Sequence, residues 1–149
     1  MEQPTSVEPQ PRIDTLVVDA MTGGQRRRTE YTGTVWYGSR PDIDGLVMVT
    51  RTGATRLEQP FFLPDSLPYR SDMAASALVA CSVAIQSAAD ETHQLVDYRA
   101  FLAPDPRNPA VSWLQLQLRA FTRTPIAVSY RVGVVAPPEA VGPAAPASG

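Results

Sequence analysis

The residue best suited to covalent chemistry in this chain is Cys81, the only cysteine among 149 residues. A thiol becomes a strong nucleophile where nearby positive charge lowers its pKa. Cys81 lies in SDMAASALVACSVAIQSAAD, residues 71–90, whose many alanines predict an α-helix. At helical spacing the segment has a continuous apolar arc with Cys81 near its middle. We therefore expect a small buried core residue, and a reactive thiol is the alternative.

A cysteine-bearing, alanine-rich helix that follows several strands resembles the helix that carries the peroxidatic cysteine in OsmC/Ohr thiol peroxidases. The resemblance covers about twenty residues and implies that Cys81 reacts in a pocket between the helix and the sheet. That family's pattern also includes a resolving cysteine and a second long helix, whereas this chain has one cysteine. A thiol-dependent enzyme or small-molecule binder using Cys81 is therefore the alternative function, with Cys81 as a weak catalytic candidate.

The other reactive residue types exclude several enzyme classes. His93, the only histidine, follows Cys81 by about 18 Å along an unbroken helix, too far for a Cys-His pair. All basic residues are arginine, so Schiff-base enzymes, phosphate-loop proteins and kinases that need a lysine are excluded. Zinc sites built from several cysteines or histidines are excluded as well. We expect no metal and no cofactor.

One basic cluster, Arg26, Arg27 and Arg28, follows a Gly-Gly turn. Successive side chains of a strand point to opposite faces, so the three arginines do not form one patch. They are expected to contact an anionic partner or to form a solvated strand end. A net charge of −2 and an isoelectric point near 5.3 argue against nucleic acid. No apolar run suits a membrane span and no secretory signal is present, which favours a cytoplasmic protein.

The elements that must position these residues are mostly strands. Alternation of apolar and polar residues, with turn residues between the runs, predicts an antiparallel sheet of about six or seven strands. The runs are residues 13–20, 26–38, 46–50, 55–63 with a break at Pro60, 95–102, 111–121 and 126–135. With the alanine-rich helix at about residues 71–90 packed on or wrapped by the sheet, the predicted fold class is α+β.

Proline-rich ends bound this predicted domain. Residues 1–12 and 136–149 contain many prolines and small residues, so we expect disordered tails around a single domain of residues 13–135. The absence of lysine is typical of bacterial genomes rich in G and C and of their phages.

Two valines on the polar half of the predicted helix suggest an interface. Val79 and Val83 lie one helical turn apart there, with Ser76 and Gln86 beside them. An apolar stripe with a polar rim predicts contact with another strand or a partner subunit. The sequence therefore favours a non-catalytic interaction or structural module, one that forms a homo-oligomer or docks on a partner assembly.

Overall fold

In the residues that the structure describes, the fold consists of antiparallel strands and two short 3-10 helices. The computed structural model describes residues 4, 6–37, 55–57, 60–87, 93–122 and 126–142. The strands are β1 (Ser6–Pro9), β2 (Ile13–Val18), β3 (Gln25–Tyr37), β4 (Thr55–Leu57), β5 (Phe61–Phe62), β6 (Tyr69–Arg70), β7 (Leu78–Ser87), β8 (His93–Pro104), β9 (Val111–Thr122) and β10 (Ile126–Ala136). The 3-10 helices are Ser71–Ser76 and Pro138–Ala140.

The strands form two five-stranded sheets. In the first sheet the order is β1, β3, β10, β7, and β2 continues the edge of β1 by pairing with β3. In the second sheet β9 is central, with β8 along one side and β4, β5 and β6 along the other. All of these described pairs are antiparallel.

One hydrophobic core lies between the two sheets and makes the fold a β-sandwich. Alternate residues of β3, β10 and β9 are buried and meet in a single cluster, while the residues between them face outwards. The buried hydroxyls of Tyr31 and Tyr69 hydrogen-bond at 2.8 Å and join the first sheet to the second. Burial raises the pKa of both phenols, so this contact stays neutral at ordinary pH.

The helix predicted over residues 71–90 is wrong, and with it the α+β fold class. Residues 71–76 form a 3-10 helix, and β7 pairs with β10 along Leu78–Ser87. The segment also alternates with a period of two: Val79, Cys81, Val83 and Ile85 are half-buried against the core, whereas Leu78, Ala80, Ser82 and Ala84 are exposed. Alanine favours a helix over most residues by less than about 0.7 kcal/mol each, and the ladder with β10 outweighs that preference.

Several predicted strands are confirmed. The first hairpin forms where expected, with β2 and β3 joined by a turn in which Gly23 has a φ of 70°. Strands also form within residues 95–102, 111–121 and 126–135, and Pro60 stands in the interval between β4 and β5. The strand predicted at residues 46–50 lies outside the described residues.

The folded body extends past both predicted boundaries. Strand β1, within the segment predicted to be a tail, pairs with β3 from Ser6 to Pro9. At the other end Ala140 is 1% exposed and Val141 bridges to Tyr69. Residues 6–9 and 140–141 therefore contribute to the sandwich, where Val7, Ala140 and Val141 belong to or pack against the core cluster.

Candidate functional site

The most unusual surface of the described chain is the open edge formed by β2. This strand pairs with β3 on one side and with no described strand on the other. All six of its residues are exposed, although four are large and apolar. The exposed fractions are 60% for Ile13, 65% for Leu16, 38% for Val17 and 63% for Val18, and Met21 in the following turn is 93% exposed.

Both faces of the β2 hairpin carry this apolar surface. Asp14 pairs with the buried Thr29 of β3, and paired residues point to the same face of a sheet. Residues 14, 16 and 18 therefore lie on the face that, farther along the first sheet, packs on the core. Leu16 and Val18 nevertheless remain exposed, which shows that the second sheet does not cover them. Ile13 and Val17 lie on the opposite face. The hairpin therefore projects beyond the sandwich with two apolar sides.

Polar contacts hold this hairpin in a defined shape. The carboxylate of Asp14 accepts hydrogen bonds from Arg27 Nε at 3.0 Å and Thr29 Oγ1 at 2.7 Å. The bond from Arg27 lowers the pKa of Asp14, against a smaller opposing effect of burial. In the turn, Asp19 Oδ1 accepts the amide of Met21 at 2.8 Å, and that bond lowers the pKa of Asp19. The exposed edge is thus a formed strand.

Strand β2 lacks the features that usually protect an edge. Natural edge strands are shielded by proline, lysine, a bulge or an inward-pointing charge. The sequence IDTLVV has neither proline nor lysine, and its pairing with β3 runs without a register shift. Its one charge, Asp14, lies on the core-facing side but is paired with Arg27 at 3.0 Å. The free backbone groups of β2 are therefore available to another strand.

The helix face on which the valine interface was predicted is not formed. There is no helix at this place, and Val79 and Val83 pack against the core from β7. Ser76 is exposed in the 3-10 helix and its hydroxyl donates to the carbonyl of Met73 at 2.9 Å. Gln86 pairs with Ala127 in the sheet, and its side chain lies outside the described part. Val79 and Val83 therefore lie on the core side of β7 and not on an outward face.

The structure places Cys81 against the core, as predicted, but on a strand. Its thiol is half-buried and burial raises its pKa, opposed by a smaller effect of a hydrogen bond with the Ala100 backbone. A raised pKa disfavours the nucleophilic thiolate. The resemblance to OsmC/Ohr peroxidases loses its basis, because it rested on a helix that is absent. His93 begins β8, and its side chain is not among those described.

The arginine cluster is divided as strand geometry predicts. Arg27 faces Asp14, and Arg28, on the other face, forms an ion pair with Glu30 at 3.0 Å. The carboxylate of Glu30 also accepts a hydrogen bond from Arg131 at 3.0 Å, and this bond lowers the pKa of Glu30. The cluster is therefore largely paired within the first sheet, which leaves no concentrated basic surface among the described residues.

The chemistry of the remaining described surface is sparse. Across the described ranges no three histidine, cysteine, aspartate or glutamate side chains are grouped to hold a metal ion. Neither 3-10 helix of the described chain has the length or apolar content that crossing a membrane requires. The open β2 edge therefore remains the main candidate for function in this part of the chain.

Sequence reasoning identified the β2 hairpin but missed its exposure. The signal was present in the composition of IDTLVV, where apolar residues stand on both faces of a short strand next to a polar turn. A strand with one face in the core and one in solvent would alternate. Comparison with known proteins adds no further signal, since no family model, curated protein or solved structure matches this chain.

Proposed function

We propose that this protein is a non-catalytic interaction module that self-associates through β2. In this proposal a second copy adds its own β2 strand antiparallel to the first, which continues the sheet across a two-fold axis. The observation that carries the proposal is a formed, unprotected edge strand with apolar side chains exposed on both faces.

A second copy suits this edge because β2 is complementary to itself. Opposite residues in an antiparallel pair point to the same face, so a two-fold axis perpendicular to the sheet must pair residues of the same parity. With the axis at Leu16, Leu16 lies opposite its own copy and Asp14 lies opposite Val18 on one face, while Thr15 lies opposite Val17 on the other. Like charges are not opposed, and the two Leu16 side chains meet at the axis.

The expected association is moderate in strength. Burying the remaining exposed surface of each large aliphatic side chain contributes on the order of 1 kcal/mol. Several such side chains from each copy, with the new backbone hydrogen bonds, oppose an association cost of about 4–15 kcal/mol. The balance favours a dimer with a dissociation constant in the micromolar range, about −8 kcal/mol.

The test is the mass in solution, measured by light scattering during size-exclusion chromatography over a range of loading concentrations. The wild-type chain has a mass of 16.1 kDa and should approach twice that value as its concentration rises. Leu16→Lys should remain monomeric, because lysine on both copies places like charges near the axis. The matched control is Leu78→Lys: Leu78 is 68% exposed, close to the 65% of Leu16, but lies on β7.

The control separates edge pairing from a general loss of apolar surface. If Leu78→Lys dissociates the dimer and Leu16→Lys does not, the interface lies elsewhere and the proposal fails. A wild-type chain that stays monomeric at hundreds of micromolar also contradicts it. Circular dichroism of each variant verifies that the β-sheet signal is retained, so that monomers are compared as folded proteins.

A further inference from the structure

A second feature of the molecule, independent of β2, is a cleft beside the second sheet. It has a volume of about 410 Å³, which lies within the usual size range of small-molecule sites. Its walls come from β5 and the residues after it, from the loop that follows β8, and from β9. The residues that line it are Phe62, Leu63, Pro64, Ser66, Asp105, Pro106, Arg107 and Trp113.

Asp105 holds one side of the cleft in place. Its Oδ1 accepts the backbone amide of Arg107 at 2.8 Å, and its Oδ2 accepts the indole Nε1–H of Trp113 at 3.0 Å. Its own amide donates to the carbonyl of Val111 at 2.8 Å and closes the loop at its base. The loop and the indole ring are therefore fixed before any ligand arrives, which lowers the ordering cost of binding.

Aromatic side chains form the apolar part of the walls. Phe62 is 41% exposed, an unusual value for a phenylalanine, and Trp113 is half-buried. Pro64 and Pro106 are exposed at the rim. Rigid aromatic and proline rings offer flat contact surface and lose little conformational freedom on binding.

The polar groups of the cleft are of both signs. Asp105 and Arg107 both line it, so an anion would meet an acidic residue and a cation would meet a basic one. A hydroxyl group suits such a pair because it donates to one and accepts from the other. The indole N–H of Trp113 already donates to Asp105, so the ring offers a ligand its apolar surface rather than a hydrogen bond.

We infer that this cleft binds a neutral saccharide, whose C–H ring face packs on Phe62 and Trp113 while its hydroxyls reach Asp105 and Arg107. A pyranose ring has this combination, since one face is apolar and its edge carries hydroxyls. The inference does not depend on self-association, because none of the lining residues belongs to β2 or β3.

The first experiment is to apply the labelled full-length chain to a glycan array of neutral and acidic oligosaccharides. We expect retention on one or more neutral glycans. Calorimetry with the best neutral oligosaccharide then compares wild type with Phe62→Ala and Arg107→Ala, each expected to weaken binding at least tenfold. Matched controls are Leu78→Ala and Arg28→Ala, an apolar and a cationic residue outside the cleft, and both should leave the affinity unchanged.

Three results would overturn the inference. One is a folded wild-type chain that retains no neutral glycan at millimolar oligosaccharide; another is an affinity that Phe62→Ala and Arg107→Ala do not change. The third is binding of 2-naphthalenesulfonate that depends on Arg107 while saccharides fail, which would assign the cleft to aromatic anions. Leu16→Lys should bind the saccharide as wild type does, so a failure of the dimer proposal leaves this test intact.

Discussion

The two edges of the first sheet differ in whether other described strands cover them. At one edge, every second side chain of β7 points into the core, and β7 lies against β8 of the second sheet. At the other, β2 exposes all six residues, and no described strand lies beside it. The β7 edge is part of the sandwich, whereas the β2 edge is apolar surface that the described chain leaves open.

This difference separates residues needed for folding from residues available for contact. Apart from Leu78, which is 68% exposed, the outward face of β7 carries small residues such as Ala80, Ser82 and Ala84, so it offers a partner less apolar surface than β2 does. Leu16 and Val18 of β2 are larger and occupy the side where a core would be, yet they remain exposed. Substitutions on β7 should therefore affect the free energy of unfolding, and substitutions on β2 should affect association.

The largest expected effect is at β7. Val83→Asp places a carboxylate against the hydrophobic core and should destabilise the chain by about 3 kcal/mol or more, enough to unfold a marginally stable domain. Ala84→Asp, one residue farther on the exposed face, should change the free energy of unfolding by less than about 0.5 kcal/mol. Urea unfolding followed by circular dichroism measures both.

The corresponding pair on β2 sharpens the contrast. Leu16→Asp and Val17→Asp lie on opposite faces, and both should leave the unfolding free energy of the monomer within about 1 kcal/mol of wild type. A strong loss at either position would show that β2 is covered in the folded monomer. A helix at residues 71–90 would instead make Ala84→Asp the damaging change on β7 and Val83→Asp the mild one.

A smaller loss is expected where β1 contacts the sheet. A Cβ at Gly33 would collide with the Tyr130 hydroxyl and with the backbone carbonyl of Glu8 on β1. Gly33→Ala should therefore cost about 1–3 kcal/mol by shifting Tyr130 or displacing β1. The control is Gly133→Ala on β10, where a Cβ would have no atom within 4 Å.

Thermal unfolding of the two glycine variants tests whether the β1 half of this edge is anchored while the β2 half is open. We expect a lowered melting temperature for Gly33→Ala and a value within about 2 °C of wild type for Gly133→Ala. Equal melting temperatures for the two variants would show that β1 does not approach Gly33 closely in solution.

Sequence patterns were sufficient for strands whose two faces differ clearly. Leu114, Leu116 and Leu118 alternate with polar residues, and the sequence predicts both the strand and its buried face. The helix prediction is wrong at residues 78–87 because small residues on the outward face of a strand resemble the alanine ridge of a helix. In both conformations Cys81 faces the core, so the error in secondary structure left that prediction intact.

The candidate site was harder to predict because it depends on whether another strand lies beside β2. The pattern of β2 predicts a strand, but only the pairing of the sheet shows that no described strand lies beside it. The cleft brings together Phe62, Asp105 and Trp113 through three separate segments. Single-sequence reasoning had no spacing rule that would connect them.

The smallest expected effect concerns the pH dependence of β2. The pKa of Asp14 is lowered from its ordinary value of 3.8, chiefly by Arg27, so its ionised form stabilises the folded state. This stabilisation is present above pH 3.8 and is lost as the pH falls through the lowered pKa of the folded state. Because both side chains of the pair are partly exposed to solvent, the contribution should be below about 1 kcal/mol.

Urea unfolding of Asp14→Asn in the Leu16→Lys background, which removes association, should reveal this contribution. The difference in unfolding free energy between Leu16→Lys alone and the double variant should be constant from about pH 7 to pH 5 and should shrink towards pH 2. Asp72→Asn, whose pairing with Arg70 lies outside β2, is the matched control and should leave the hairpin unaffected. A pH-independent difference would mean that Asp14 and Arg27 are not paired in solution, and the hairpin would then lack its main polar anchor.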